Sequence, residues 1–214
     1  MLDQISKAVE QGKAKLVKEL VTQAIEAGLS PEDIMNGGLI AAMGVVGDNF
    51  KNNKIFVPEM LIASRAMAQG LKILEPYLVS AGVKPVGIVV IGTVKQDLHD
   101  IGKNLVATMM RGIGATVYDL GVDVPDEAFV KKAEEVHADI VAVSALLTTT
   151  MPAIGDVIQA FENAGVRNKY QIMVGGAPVN AAFAKQVGAD YYTANAAEAA
   201  EVAKQILDSL HNQE

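Results

Sequence analysis

Val86-Gly87-Ile88-Val89-Val90-Ile91-Gly92-Thr93-Val94, followed after Lys95-Gln96 by Asp97-Leu98-His99-Asp100-Ile101-Gly102, decides how this chain is read. The first run is short, apolar and rich in β-branched residues, as a strand buried on both faces requires. A helix-like segment begins at Lys103, so Asp97–Gly102 is the loop in which a strand becomes a helix. A histidine there, with a carboxylate two residues before it, is a setting for a metal ligand. One ring nitrogen can bind while the other donates to the carboxylate.

Toward the C-terminus the alternation continues. Strand-length apolar runs at Thr116–Leu120, Asp139–Ser144, Tyr170–Val174 and Asp190–Tyr192 alternate with helical stretches at 103–113, 126–136, 152–164, 179–187 and 196–210. Five strands alternating with five helices predict an α/β fold. Its parallel sheet is doubly wound, covered on both faces, and Rossmann-like or flavodoxin-like. Toward the N-terminus the period is helical instead. Leu2, Ile5 and Val9 start one stripe; Leu16, Leu20, Val21, Ala24 and Ile25 form another, which Gly28 stops. Ser30 can cap and Pro31 can open a third helix, extended with some irregularity by Ile34, Met43, Val46 and Phe50. Pro58 opens a fourth carrying Leu61, Leu71, Leu74 and Leu78. The expected organisation is a four-helix bundle over 1–84 and an α/β domain over 85–214, with Ser80–Pro85 as linker.

Composition narrows the function. The net charge of −7 argues against a nucleic-acid partner, which wants clustered Lys and Arg. The absence of Trp and an aromatic content of 5% disfavour base-stacking surfaces. With no cysteine, disulfides, thiolate metal sites and iron–sulfur clusters are excluded, and a metal must take His or oxygen ligands. The apolar runs fall short of the about 20 residues of a membrane span. With no disulfide and no secretory signal pattern, the expected location is the cytoplasm.

Ligands of open α/β sheets bind outside the carboxyl ends of the strands. The first strand ends at the Asp97–Gly102 loop, the third at Ser144-Ala145-Leu146 with Leu147-Thr148-Thr149-Thr150 following, and the fourth at Gly175-Gly176-Ala177-Pro178. All three therefore belong to one edge. No strand is followed by G-x-G-x-x-G or a P-loop, which removes the main support for a dinucleotide or nucleoside triphosphate. The chain reads D-x-H-x-x-G, 41 residues, S-x-L, 28 residues, G-G. This spacing resembles the cobalamin-binding signature of corrinoid proteins. Met43-Gly44-Val45-Val46-Gly47-Asp48-Asn49-Phe50 and Phe56-Val57-Pro58-Glu59 are similar to the helical cap of methyl-transferring members such as cobalamin-dependent methionine synthase. The whole chain looks like a free-standing corrinoid protein of a methanol, methylamine, glycine betaine or methoxyaromatic methyltransferase system.

The resemblance implies the following. Cobalamin or a related corrinoid binds with its own base displaced from cobalt, and His99 becomes the lower axial ligand. Asp97 holds the other ring nitrogen and Thr150 supplies a hydroxyl to Asp97, where a Ser is the family's expected residue. Leu98, Asp100, Ile101 and Gly102 belong to the cofactor loop. Ser144, Leu146 and Thr148 contact the buried nucleotide tail, while Gly175, Gly176 and Ala177 leave room for its base. Phe56 and Met60, with Met43 and Val57, are candidates to shield the upper face. The states of the cofactor are methylcobalamin, cobalt(I) and cobalt(II). The partners are a substrate-specific methyltransferase, a second corrinoid:acceptor methyltransferase and a reductive activation protein; neither nucleic acid nor membrane is a partner. The chain is then a component of an enzyme system, not a complete enzyme. Two other classes remain open: a cobalamin-binding regulator or sensor, and the cofactor subunit of a cobalamin-dependent mutase. Taken singly, Gly175-Gly176 also fits a tight turn, Thr148–Thr150 a helix cap, and Asp100 a solvated helix-start carboxylate. His137 and His211 stand outside any such constellation.

Overall fold

The computed structural model describes residues 1–211, with the side chain of His211 outside the described set. Two compact units are present: Met1–Pro85 with the turn Arg111–Gly114, and Val86–Met110 with the chain from Ala115 onward.

In the first unit, α1 (Leu2–Glu10), α2 (Ala14–Glu26), a continuous helical stretch and α5 (Val57–Ser80) pack around Ile5, Val9, Val17, Val21, Leu39, Met60 and Leu74, all fully buried. The continuous stretch starts as α3 (Pro31–Asp33), widens into a π-helix over Ile34–Ile40 and returns to α-geometry as α4 (Ala41–Lys51). The Ser30 hydroxyl caps it by accepting from Asp33 N–H at 3.0 Å, with Pro31 at the first helical position. The irregular spacing of apolar residues after Ile34 has its cause in the π-segment. Gly37 and Gly38 there bring the backbone against Leu2 and Ile5 of α1; a Cβ on either glycine would lie 3.0 Å from those side chains.

The second unit is an all-parallel sheet in the order β2-β1-β3-β4-β5: β1 (Ile88–Thr93), β2 (Thr116–Asp119), β3 (Ile140–Ser144), β4 (Gln171–Gly175) and β5 (Tyr191–Tyr192). This is the flavodoxin-like doubly wound order. The crossover helices are α6 (Ile101–Gly112), α7 (Asp126–Val136), α8 (Ala153–Asn163) and α9 (Ala181–Val187), and α10 (Ala196–His211) follows β5. Val90, Val141, Val143 and Ile172 meet Phe129, Ile154, Val157 and Phe161 in one buried core. An Ala-Asp pair opens both β3 and β5 and ties each to its neighbour: Asp139 Oδ2 accepts from Ile88 N–H at 2.7 Å, and Asp190 Oδ2 from Ile172 N–H at 2.7 Å. The sheet register aligns Thr93 with Ser144 and Ser144 with Gly175. The three loops singled out in the sequence therefore leave the sheet from one row. No helix among the described residues is long and apolar enough to cross a membrane.

Two glycines of the helical unit separate propensity from packing. A Cβ on Gly70 in α5 would lie 2.8 Å from Val17 and 2.9 Å from Leu39, whereas one on Gly44 in α4 would meet nothing within 4 Å. Gly70→Ala is expected to destabilise by about 1–3 kcal/mol through overpacking, and Gly44→Ala to stabilise by up to about 1 kcal/mol through helix propensity. Urea unfolding of both variants checks the opposite signs.

Candidate functional site

Asp97 follows a strained corner. β1 ends at Thr93, Val94 N–H donates to Ser144 O at 3.0 Å, and Gln96 takes a left-handed φ of 65°. The chain then turns around the Asp97 side chain. Asp97 Oδ1 accepts from His99 backbone N–H at 3.1 Å and pairs with His99 Nδ1 at 2.7 Å. A carboxylate closing on the backbone two residues ahead is an Asx turn. This explains the D-x-H spacing: one oxygen fixes both the backbone and the ring of the histidine. The backbone oxygen of His99 is held as well, by the hydroxyl of Thr93 at 2.9 Å.

The other carboxylate oxygen reaches the loop after β3. Asp97 Oδ2 accepts from Leu146 N–H at 2.8 Å, from Thr150 Oγ1 at 2.6 Å and, more weakly, from Leu147 N–H at 3.4 Å. Asp97 is completely buried and Thr150 nearly so. Burial works to raise the carboxyl pKa. The bonds from Thr150, Leu146 N–H and His99 outweigh it and hold the group well below the usual carboxylate range. Asp97 thus stays ionised at neutral pH and presents a negative oxygen to the His99 ring.

The ring itself is accessible, with 48% of its side chain exposed, and Nε2 has no hydrogen-bond partner among the described residues. With Nδ1 donating to Asp97, Nε2 is left as the free lone pair, the arrangement an imidazole needs to ligate a metal. Apolar side chains flank it in sequence without being buried: Leu98 and Ile101, with Leu146 and Leu147 from the loop after β3, are all exposed. Among the described residues no group of three or more His, Asp and Glu side chains is placed to hold a metal ion. A single imidazole on an apolar, open surface fits a metal whose remaining positions are filled by a macrocycle.

The other expected residues fall as follows. Asp100 precedes α6 and accepts from the Asn104 side-chain amide at 3.0 Å, a helix-start role. Gly102 opens α6 with free space where a Cβ would sit. Ser144 is half-buried in the aligned row, and Thr148 is exposed. Gly175 is half-buried, while Gly176 and Ala177 are exposed. Gly176 has φ 130°, and a Cβ there would lie 1.8 Å from Ala145 O, so the β4 turn passes directly over the end of β3. Packing alone therefore demands that glycine. In the helical unit, Phe56 is exposed, whereas Met60 and Met43 are buried. Two partners of the site lay outside the sequence reading: Thr93, and the backbone N–H groups after β3 that receive the carboxylate. Lys103 is another. It is buried and bonds both oxygens of Asp119, at 2.6 and 2.7 Å, which ties the start of α6 to the end of β2.

A doubly wound sheet presenting one oriented imidazole at its carboxyl edge, in a chain that also carries a helical unit, points to the class of corrin-binding proteins. Comparison with known proteins agrees: residues 87–203 and residues 1–75 each match a B12 binding domain model. Dimethylamine corrinoid protein 3 of Methanosarcina acetivorans is 42% identical over 207 residues, covering 97% of both chains. A corrinoid protein of Desulfitobacterium hafniense is 39% identical over 210 residues, again covering 97% of both. Among solved structures, the methanol:cobalamin methyltransferase complex of Methanosarcina barkeri contains a chain that superimposes with a TM-score of 0.87 at 33% identity, covering 97% of this chain and 79% of that one. The chain belongs to the B12-binding corrinoid proteins, and its cofactor is cobalamin or a related corrinoid.

The buried carboxylate has a measurable signature. Its pKa is lowered on folding, so its contribution is present above the unfolded value of about 3.9 and is lost as pH falls below it. Thr150→Val removes a donor to a charged acceptor and is expected to cost about 1.5–3 kcal/mol, with Thr150→Ser much closer to wild type. Urea unfolding at pH 7 reads both. Between pH 5 and 2 the wild type should lose stability more steeply than Asp97→Asn, by the same measurement.

Proposed function

We propose that this protein is a methyl carrier. In this reading it binds its corrinoid base-off through His99 Nε2 and shuttles a methyl group from a substrate-specific methyltransferase to a second methyltransferase. The observation that carries the reading is the Asp97–His99 pair, with Nδ1 committed to the carboxylate at 2.7 Å, Nε2 without a hydrogen-bond partner among the described residues, and about half of the side chain exposed. When bound, a corrinoid supplies a cobalt centre able to accept and release a methyl group. The chain's own residues do the rest. Asp97, fixed by Thr150 and by Leu146 N–H, orients the ring and makes Nε2 a stronger donor.

The exposed side chains of Leu98, Ile101, Leu146 and Leu147 offer an apolar floor for the macrocycle. Ser144, Thr148 and the turn Gly175-Gly176-Ala177 line the same sheet edge, where the nucleotide tail is assigned. The reading gives residues 85–214 the cofactor and residues 1–84 the role of cap, in which Phe56 is available to a ligand and Met60 serves the core. A methyltransferase partner is supported by the matched structure from M. barkeri, which is a methyltransferase complex. A reductive activation protein and a cytoplasmic location belong to the same proposal.

Electron paramagnetic resonance of the cobalt(II) protein, reconstituted anaerobically with cobalamin, tests the ligand. The expected axial-nitrogen splitting changes when histidine carries nitrogen-15 and disappears in His99→Ala. A splitting indifferent to the label would mean that the cofactor keeps its own base, and the proposed role of His99 would fall.

A further inference from the structure

The loop between β2 and α7 is laced to the histidine loop from the β2 side of the sheet. Thr93 N–H donates to Gly121 O at 3.0 Å, Val124 N–H to Thr93 O at 3.0 Å, and Asp123 N–H to Asp97 O at 2.9 Å. Val94 and Val124 form an isolated parallel bridge. A side chain completes the lacing: Asp123 Oδ1 accepts from Gln96 N–H at 2.6 Å. Gln96 and Asp123 both have left-handed backbones, φ 65° and 52°, although neither is glycine. Residues with a Cβ populate that region sparsely, and bulky ones rarely. Gln96 has an exposed side chain with no hydrogen bond among the described residues to keep it there. Its N–H is held by a carboxylate instead, in a short charge-assisted bond. Gln96 is the residue before Asp97, so its conformation sets the direction in which the Asp97 carboxylate leaves the backbone.

We propose that Asp123 is a positioning residue for the cofactor ligand: it locks the left-handed turn at Gln96 that aims Asp97 at His99 Nδ1. The proposal rests on the reading of His99 as the lower ligand. The Asp123 side chain bonds Gln96 N–H and not His99, and the rest of the lacing uses backbone atoms that side-chain substitution leaves in place.

Asp123→Gly favours the left-handed backbone and removes only the acceptor. Asp123→Asn retains an acceptor oxygen and tolerates the same φ. The first measurement uses cobalt-free full-length protein with nitrogen-15 histidine and follows the His99 Nδ1–H proton signal. It is expected to broaden or vanish in Asp123→Gly through faster exchange with water, and to return in Asp123→Asn. Cobalamin affinity is expected to fall about 10-fold in Asp123→Gly, as for outer partners of metal ligands, and to be restored in Asp123→Asn. A wild-type signal and wild-type affinity in Asp123→Gly would overturn the proposal, as would an Asn variant as impaired as the Gly variant. Should Asp123→Gly fail to fold, Gln96→Val opposes the same left-handed turn from the other partner, because a β-branched residue disfavours that backbone. The His99 signal should broaden there too, and an unchanged signal overturns the proposal. If the cobalt(II) spectrum of the wild type ignores the histidine label, ligation by His99 is lost as a reading. The cobalt-free signal still decides whether Asp123 orients the ring.

Discussion

A single buried carboxylate holds the site together. Asp97 has no exposed surface, yet it is ionised, and such a charge persists only where hydrogen bonds replace the water it has lost. Here they come from two places: the histidine loop after β1 supplies a backbone N–H and a ring nitrogen, and the loop after β3 supplies Leu146 N–H and the Thr150 hydroxyl. The carboxylate is thus a joint between neighbouring strands as well as an orienter of His99. Whatever disturbs the β3 loop reaches the imidazole through one atom pair. This favours rigid parts: Thr150 is anchored next to α8, and the strands themselves fix how far apart the two loops stand.

The fold was legible because period and punctuation agreed. Val86–Val94 and Asp139–Ser144 are too apolar and too short for anything but strands covered on both faces, and they form β1 and β3 side by side. The change to helical period before residue 80 marked the helical unit equally clearly, and Ser30-Pro31 behaves as a cap and first turn should. The core of the site was legible for another reason. Strand ends in a parallel sheet share one edge, so residues distant in sequence, such as His99, Ser144 and Gly175, can be placed together without any knowledge of side-chain contacts.

What stayed hidden depends on atoms that sequence patterns do not carry. Thr93 reads as one more β-branched strand residue, but its hydroxyl faces the His99 carbonyl. Asp123 lies in a short polar loop, and its importance appears only once the Gln96 backbone is known to be left-handed. The motif reading gave Gly176 to the ligand, whereas the approach of Ala145 O is reason enough for a glycine at that turn. Met60 sits at a position that resembles the family's cap, yet its side chain is spent on the bundle core. In each instance a residue type was compatible with two environments, and only tertiary packing chose between them.

The π-helical stretch Ile34–Ile40 has its own consequence for how this chain tolerates change. A wide turn accommodates a residue beyond what regular α-helix would take, so the helical phase of everything downstream is offset by about 100° from the phase set at Pro31. Ala42, Met43 and Val46 are buried in the phase that follows that offset. Removing one residue near Gly37-Gly38 would leave hydrogen bonding intact and yield a better α-helix, while rotating that inward face toward solvent. Composition and helix propensity would barely register such a deletion, and its whole cost would fall on rotational phase.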